Sequence, residues 1–256
     1  MPDSAKPERS QNNETPTNAI RLNKAIADTG YCARRKADEL IQAGKVQVNG
    51  QTVNEMGLRI DPANDVISIN GQPLTSAAKA YLLFNKPTGY VTSRRGGRTG
   101  KSIYELIPPA QHSVDPAGRL DQDSSGALIL SNDGDFLYKI THPKFHLPKI
   151  YEITLDRSLT PEEIDQLRHG IHLMPEDKFA VMKQVIADEK NPKRYQVELI
   201  TGYNRQIRRS LTAVRARVLT LHRVSFGPIS LGNLKPGQAR PLTAEEQVQL
   251  LTNFYP

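Results

Sequence analysis

The chain has 256 residues with a formal net charge of +7; at 38% hydrophobic and with no tryptophan, it is polar and loop-rich. That length holds one medium domain plus a small one, and a single cysteine, Cys32, excludes an internal disulfide or a cysteine-built metal site. No apolar run approaches the roughly 18 residues of a membrane span, and the start of the chain lacks a signal peptide's apolar core; the expectation is a cytoplasmic protein with no membrane association.

Residues 1–18 are rich in Asn, Ser, Thr and Pro without apolar periodicity, which predicts a disordered tail. A compact unit is expected over 19–76. Leu22, Ala25 and Ile26 give a short amphipathic helix stopping at Gly30. A second helix, about Arg34–Ala43, places Ala37, Leu40 and Ile41 on one face and stops at Gly44. Val46-Gln47-Val48 alternates as a strand into an Asn49-Gly50 hairpin turn, and Val66–Ile69 with Asn70-Gly71 repeats the pattern. Arg21, Lys24, Arg34, Arg35 and Lys36 would lie on the outer faces of the two helices.

Thr75–Lys79 reads as a linker, and 80–256 as the second domain. Tyr81–Phe84 and Ala127–Leu130 are short apolar runs, while Ile150–Leu155 and Tyr195–Ile200 alternate as strands. Thr160-Pro161-Glu162-Glu163 is a capping box with proline at the first helical position, opening a helix that ends near Gly170. Asn204 is expected to cap a helix carrying Ile207, Leu211 and Val214. Thr243-Ala244-Glu245-Glu246 starts a last helix with Val248, Leu251 and Phe254 on one side. The predicted class is α+β: a small helix-helix-strand domain, then a mixed sheet dominated by antiparallel pairs.

Two further cation clusters stand out. Arg94, Arg95, Arg98 and Lys101 crowd a glycine-rich stretch, and Arg205, Arg208, Arg209, Arg215 and Arg217 crowd a segment without acids. Such clusters fit a phosphate backbone, and they also fit ordinary solvated charge. The loop Gly118-Arg119-Leu120-Asp121-Gln122-Asp123-Ser124 precedes an apolar strand, and Arg119 and Asp121 point the same way in extended chain. Its residues alone fit a charged turn as well as a reactive loop. The histidines lack ligand spacing with carboxylates or cysteines, so no metal is expected. Gly96-Gly97-x-x-Gly100-Lys101-Ser102 misses phosphate-loop spacing, so no nucleotide cofactor is expected either.

Taken together, Arg21-Leu22-Asn23-Lys24, Gly30–Ala37 and Gly44–Gly50 resemble the S4-type RNA-binding domain, with Cys32-Ala33 where relatives often carry a capping serine. From Asn85-Lys86-Pro87-x-Gly89 onward the chain resembles bacterial rRNA pseudouridine synthases of the RsuA/RluB/RluF type. The resemblance runs through Gly118–Leu130, Lys149-Ile150-Tyr151, Gly202–Arg209, Leu221-His222-Arg223 and Pro236–Thr243, in that order.

The resemblance implies a cofactor-free isomerase acting as a monomer on ribosomal RNA. Asp121 would be the nucleophile, Arg208 its ion-pair partner, and Tyr151 the ring that stacks on a flipped uracil. Arg119, Leu221 and Lys149 would bind the target nucleotide; Arg205 and Arg209 would join Arg94, Arg95 and the S4-type cations on RNA. Asn204–Arg209 is similar to large-subunit enzymes, which favours 23S over 16S rRNA, whereas Leu221-His222-Arg223 and the short C-terminal segment are similar to the small-subunit enzyme. The competing reading is a non-catalytic RNA-binding or ribosome-assembly protein keeping the fold, which would have no need of Asp121, Tyr151 and Arg208 together. The geometric expectation is that Arg208 reaches the Asp121 carboxylate and that Tyr151 lines the same cleft.

Overall fold

A computed structural model describes residues 18–252, apart from 76, 95 and 97–99. The expected tail, Phe254, Arg95 and Arg98 therefore lie outside the described residues. Contacts divide the chain between Ala77 and Ala78.

The first unit runs β1 (Ile20–Arg21), α1 (Leu22–Asp28), α2 (Arg34–Gln42), β2 (Val46–Val48), β3 (Gln51–Val53), β4 (Arg59–Ile60), β5 (Ile67–Ile69) and β6 (Gln72–Pro73). The Asn-Gly pairs join β2 to β3 and β5 to β6, with both residues of each pair at positive φ, as a tight two-residue hairpin requires. Leu22, Ala25, Ile26, Ala37 and Ile41 close over Val46, Ile67 and Ile69 in one core. Ala33 begins α2 with no side-chain cap, as the missing serine implies. Arg34, Arg35 and Lys36 are exposed on α2, but Arg21 belongs to β1 rather than a helix face, pairing with Arg59. Lys24 is half-buried and ion-paired to Asp28 at 2.8 Å, and Lys36 pairs with Glu39 at 2.7 Å.

The second unit contains β7 (Tyr81–Lys86), β8 (Tyr90–Val91), β9 (Lys101–Ser102), β10 (Asp115–Pro116), β11 (Ser125–Ser131), α3 (Gly134–Thr141), β12 (Lys149–Leu155), α4 (Pro161–His169), β13 (Ile171–Leu173), β14 (Lys178–Ala180), β15 (Gln184–Ala187), β16 (Arg194–Leu199), α5 (Gln206–Ala213), β17 (Val218–Phe226), β18 (Ile229–Ser230), β19 (Ala239–Pro241) and α6 (Ala244–Thr252). Its main sheet has the order β15-β16-β12-β17-β11-β7-β19, with β10 added on β11 and β18 on β17. Only β11 and β17 in that sheet pair in parallel, so the sheet is mixed and antiparallel-dominated.

The continuous apolar runs of β7 and β11 are explained by burial on both faces. Leu82, Phe84, Leu128 and Leu130 enter one core, whereas Leu83, Ala127 and Ile129 enter the other with Phe136, Ile140 and Leu250. At the parallel crossing Gly126 has φ +112°, and a Cβ there would stand 2.2 Å from the Arg223 carbonyl oxygen. Only glycine allows β11 that close to β17. The α4 and α6 starts carry reciprocal caps, Thr160 with Glu163 and Thr243 with Glu246. The α5 start differs from expectation. Arg205, not Asn204, is its cap, in the left-handed region at φ 48° and with no side-chain hydrogen bond. Gln206 stabilises the entry instead, accepting from Thr201 Oγ1 at 2.9 Å and the Tyr203 amide at 3.1 Å. No described helix is long and apolar enough to cross a membrane.

Candidate active site

The loop 118–124 leads into β11 and is held from beneath. Lys86, the last residue of β7, has no exposed surface, and its ammonium donates to the carbonyls of Ser124 at 2.7 Å, Asp121 at 2.9 Å and Pro87 at 3.1 Å. Burial pushes this lysine down to about 8, against the opposing pull of Asp121 and Asp123. Thr92 donates to the Leu120 carbonyl at 2.7 Å, and the Gly89 amide to Gln122 at 2.8 Å. The Asp121 backbone is thus fixed while its half-buried carboxylate stays at the surface of the loop.

The arginines of α5 approach this loop in an arrangement the sequence did not anticipate. Arg205 Nη1 stands 3.5 Å from Asp121 Oδ2, and Arg205 also contacts Asp123 at 3.2 Å. Arg208 does not make the expected ion pair with Asp121. Its Nη2 lies 3.2 Å from Asp123 Oδ2 and donates to the Asp123 carbonyl at 2.9 Å, while Nη1 donates to the Val218 carbonyl at 3.3 Å. These backbone anchors hold the guanidinium alongside Asp123, leaving Asp121 to the residue that caps the helix. Burial would raise the Asp123 carboxyl, but the Arg205 hydrogen bonds and the charges of Arg208 and Arg205 outweigh it and hold it below the ordinary range.

Beside the loop opens a cleft of about 420 Å³, the size of a small-ligand site. Arg119, Asp121, Lys149, Tyr151, Arg208 and Leu221 all line it, so the residues expected to act on or bind the target nucleotide meet in one place, joined by Arg205. Tyr151 and Leu221 are almost fully buried in its wall, and Arg119 is exposed at its edge. Lys149 Nζ donates to Leu147 at 2.8 Å and Ile200 at 3.2 Å, and burial first, then the Arg223 charge, push it down to about 8.

Two expected RNA contacts are instead committed to the fold. Arg94 spans Asp115 at 2.7 Å, donates to the His112 carbonyl at 2.6 Å and lies 5.0 Å over the Tyr104 ring. Arg209 pairs with Glu176 at 2.6 Å. Both guanidiniums are engaged by neighbours of their own chain, which reduces their value as phosphate ligands.

Sequence reasoning gave no role to Lys86 or Arg223. Each is a charged residue buried in a strand among apolar neighbours, which marks it as unusual, although its partners lie mostly in other segments. Arg223 is 3% exposed, donates from Nε to the Ala127 carbonyl at 2.6 Å, and leaves Nη2 without a partner. An unsatisfied buried donor costs about 1–3 kcal/mol, which argues for a purpose beyond packing.

The second unit thus brings a carboxylate and an inward tyrosine together in one cleft of about 420 Å³. The chain belongs to the RNA pseudouridylate synthase family, whose model matches residues 80–213, and the S4 domain model matches residues 20–67. It is 36% identical to the ribosomal large subunit pseudouridine synthase B of Bacillus subtilis, over 90% of this chain and 95% of that one. It is 31% identical to the ribosomal small subunit pseudouridine synthase A of Yersinia pestis, over 89% and 96%. A crystal structure of a pseudouridylate synthase, 29% identical, superposes with a TM-score of 0.65 over 90% of this chain and 99% of that one.

Proposed function

We propose that the protein isomerises one uridine of ribosomal RNA to pseudouridine, with Asp121 as the nucleophile, and that the target lies in 23S rRNA. The observation that carries the mechanism is the convergence of Asp121, Tyr151 and Leu221 on one cleft. The identity to the large-subunit enzyme, 36% against 31% to the small-subunit enzyme over similar coverage, supports the choice of RNA.

The reaction is an internal rearrangement. The bond from C1′ of the ribose to N1 of uracil breaks, the base turns, and a C1′–C5 bond forms, the proton lost at C5 being balanced by one gained at N1. No electron acceptor or donor group is consumed. Asp121 is to meet the sugar of the flipped nucleotide, and Arg205, 3.5 Å from its carboxylate, orients it. Tyr151 offers a face to the uracil; stacking of about 1–3 kcal/mol per base offsets much of the few kcal/mol spent on extrusion. Arg119, exposed beside Asp121, takes the space the base vacates, and Leu221 walls the cleft. The exposed Arg34 and Arg35 and neighbouring Lys36 hold RNA phosphates. A catalytically silent RNA binder would not need this convergence.

Mapping pseudouridines across rRNA from cells with and without this protein tests the assignment. One position in 23S rRNA should revert to uridine in its absence. A change confined to 16S rRNA would overturn the choice of target, and an unchanged map would overturn the reading.

A further inference from the structure

Cations collect in the cleft wall without acids to match them. On the sheet Arg223 is the register partner of Tyr151, and Lys149 is that of Phe226, with a bulge between. Both cations stand over the Phe226 ring, at 5.2 Å and 5.5 Å. Arg223 Nη1 is 3.5 Å from the Tyr151 hydroxyl, and Nη2 has no partner. The polar contacts of Lys149 are carbonyls. Among the described residues, neither cation is paired with a carboxylate. A guanidinium buried in this way is unfavourable unless a negative group arrives to meet it. Enzymes place such charge where negative charge develops during reaction.

The proposed isomerisation supplies that charge. When C1′ takes Asp121 as its new partner, the electron pair of the broken bond leaves on N1, and the uracil becomes an anion with its charge spread over O2 and O4. The turn that carries C5 to the former place of N1 also exchanges O2 and O4. A donor that meets one carbonyl before the turn meets the other after it. C5 then attacks C1′, Asp121 regains its electron pair, C5 loses its proton and N1 gains one.

We infer that Arg223, with Lys149 beside it, is the seat of the departing uracil anion, donating to whichever of the two equivalent carbonyl oxygens faces the wall. This rests on the pseudouridine synthase reading. A backbone phosphate of the target nucleotide has similar anionic chemistry, and the test separates the two.

The full-length protein and its Arg223→Gln and Arg223→Lys variants are compared in single turnover, with enzyme in excess, on 23S rRNA transcribed with either uridine or 5-fluorouridine. Consumption of the parent nucleoside is read by mass spectrometry of digests. Fluorine withdraws electrons and stabilises the leaving anion, so it substitutes in part for the missing guanidinium. Arg223→Gln should slow the uridine reaction by about 10²–10³, the usual effect of removing one anion-stabilising donor. It should slow the 5-fluorouridine reaction at least tenfold less, and Arg223→Lys should recover at least tenfold. The ratio between substrates does not depend on how much variant protein is folded. Equal slowing of both RNAs, or a loss confined to RNA affinity as a phosphate contact would give, overturns the inference. Wild-type protein inactive on both RNAs would instead overturn the 23S rRNA reading on which it rests.

Discussion

Arg208 grips Asp123 twice, through the carboxylate at 3.2 Å and the backbone carbonyl at 2.9 Å, two residues beyond Asp121. The guanidinium therefore sets the path of the loop, whereas Arg205 touches the Asp121 carboxylate itself at 3.5 Å. Arg208→Met should lower the single-turnover rate by about 10²-fold, and Arg208→Lys should not rescue it, because one ammonium cannot reproduce a fork that also reaches Val218. Arg205→Met should cost only about tenfold, since its ion pairs are exposed and each worth roughly 0–1 kcal/mol. A larger loss for Arg205 than for Arg208 would show that the direct contact matters more than the loop.

Asp121→Asn should abolish pseudouridine formation while RNA affinity, measured by filter binding, stays within a few fold. The substitution keeps the size and the loop contacts, whose partner is the Asp121 carbonyl rather than its side chain. Asp123→Asn should retain product, slowed by about tenfold through a loosened Arg208. Full activity of Asp121→Asn would remove Asp121 from the chemistry.

The two-part fold was legible because its signals are local. The Asn-Gly hairpins, the Thr160 and Thr243 boxes and the apolar runs of β7 and β11 each act within a few residues. The meeting of Asp121, Tyr151 and Leu221 was legible through family resemblance, since their own segments fit an ordinary turn and ordinary strands. The pairing of arginines was not. Which of Arg205 and Arg208 reaches Asp121 depends on the left-handed turn at Arg205 and on the Val218 carbonyl, both set by tertiary packing. Lys86 and Arg223 were hidden for a related reason. A charge inside an apolar strand shows that something is unusual, but its partners lie on other strands.

The exposed cations of α2 belong to a unit with its own core of Leu22, Ile26, Ile41 and Ile69. A chain lacking residues 1–77 should keep the second unit's two cores and melt cooperatively, because neither core draws on the first unit. Its RNA affinity should fall by at least tenfold, with a shallower salt dependence, since each lost phosphate contact lowers the slope of log affinity against log salt by about 0.7–0.9. Site-specific activity equal to that of the full chain would show that the S4 unit is dispensable for targeting.

Lys86 and Lys149 should make activity and stability move in opposite directions with pH. Burial pushes both down to about 8, against about 10.4 for an unfolded lysine. Between those values the unfolded chain binds more protons than the native one, so stability rises with pH. The cost of burying each charge is fully present below about pH 8 and is relieved as pH climbs towards about 10. Tyr81 and Tyr104, pushed up to about 12 chiefly by burial, act the other way only from about pH 10 upward. Comparing urea midpoints at about pH 7 and about pH 9.5 avoids the tyrosines, and the difference between wild type and Lys149→Met cancels the opposing contribution of Cys32, whose thiol burial pushes up. Lys149→Met should flatten the wild-type rise by on the order of 1–2 kcal/mol, following about 1.4 kcal/mol per pKa unit. Over the same interval single-turnover rates of the wild type should fall, because a neutral Lys86 has one donor fewer for the carbonyls of Asp121, Ser124 and Pro87. Parallel stability slopes in wild type and Lys149→Met would show that the Lys149 ammonium is not held in a low-dielectric site.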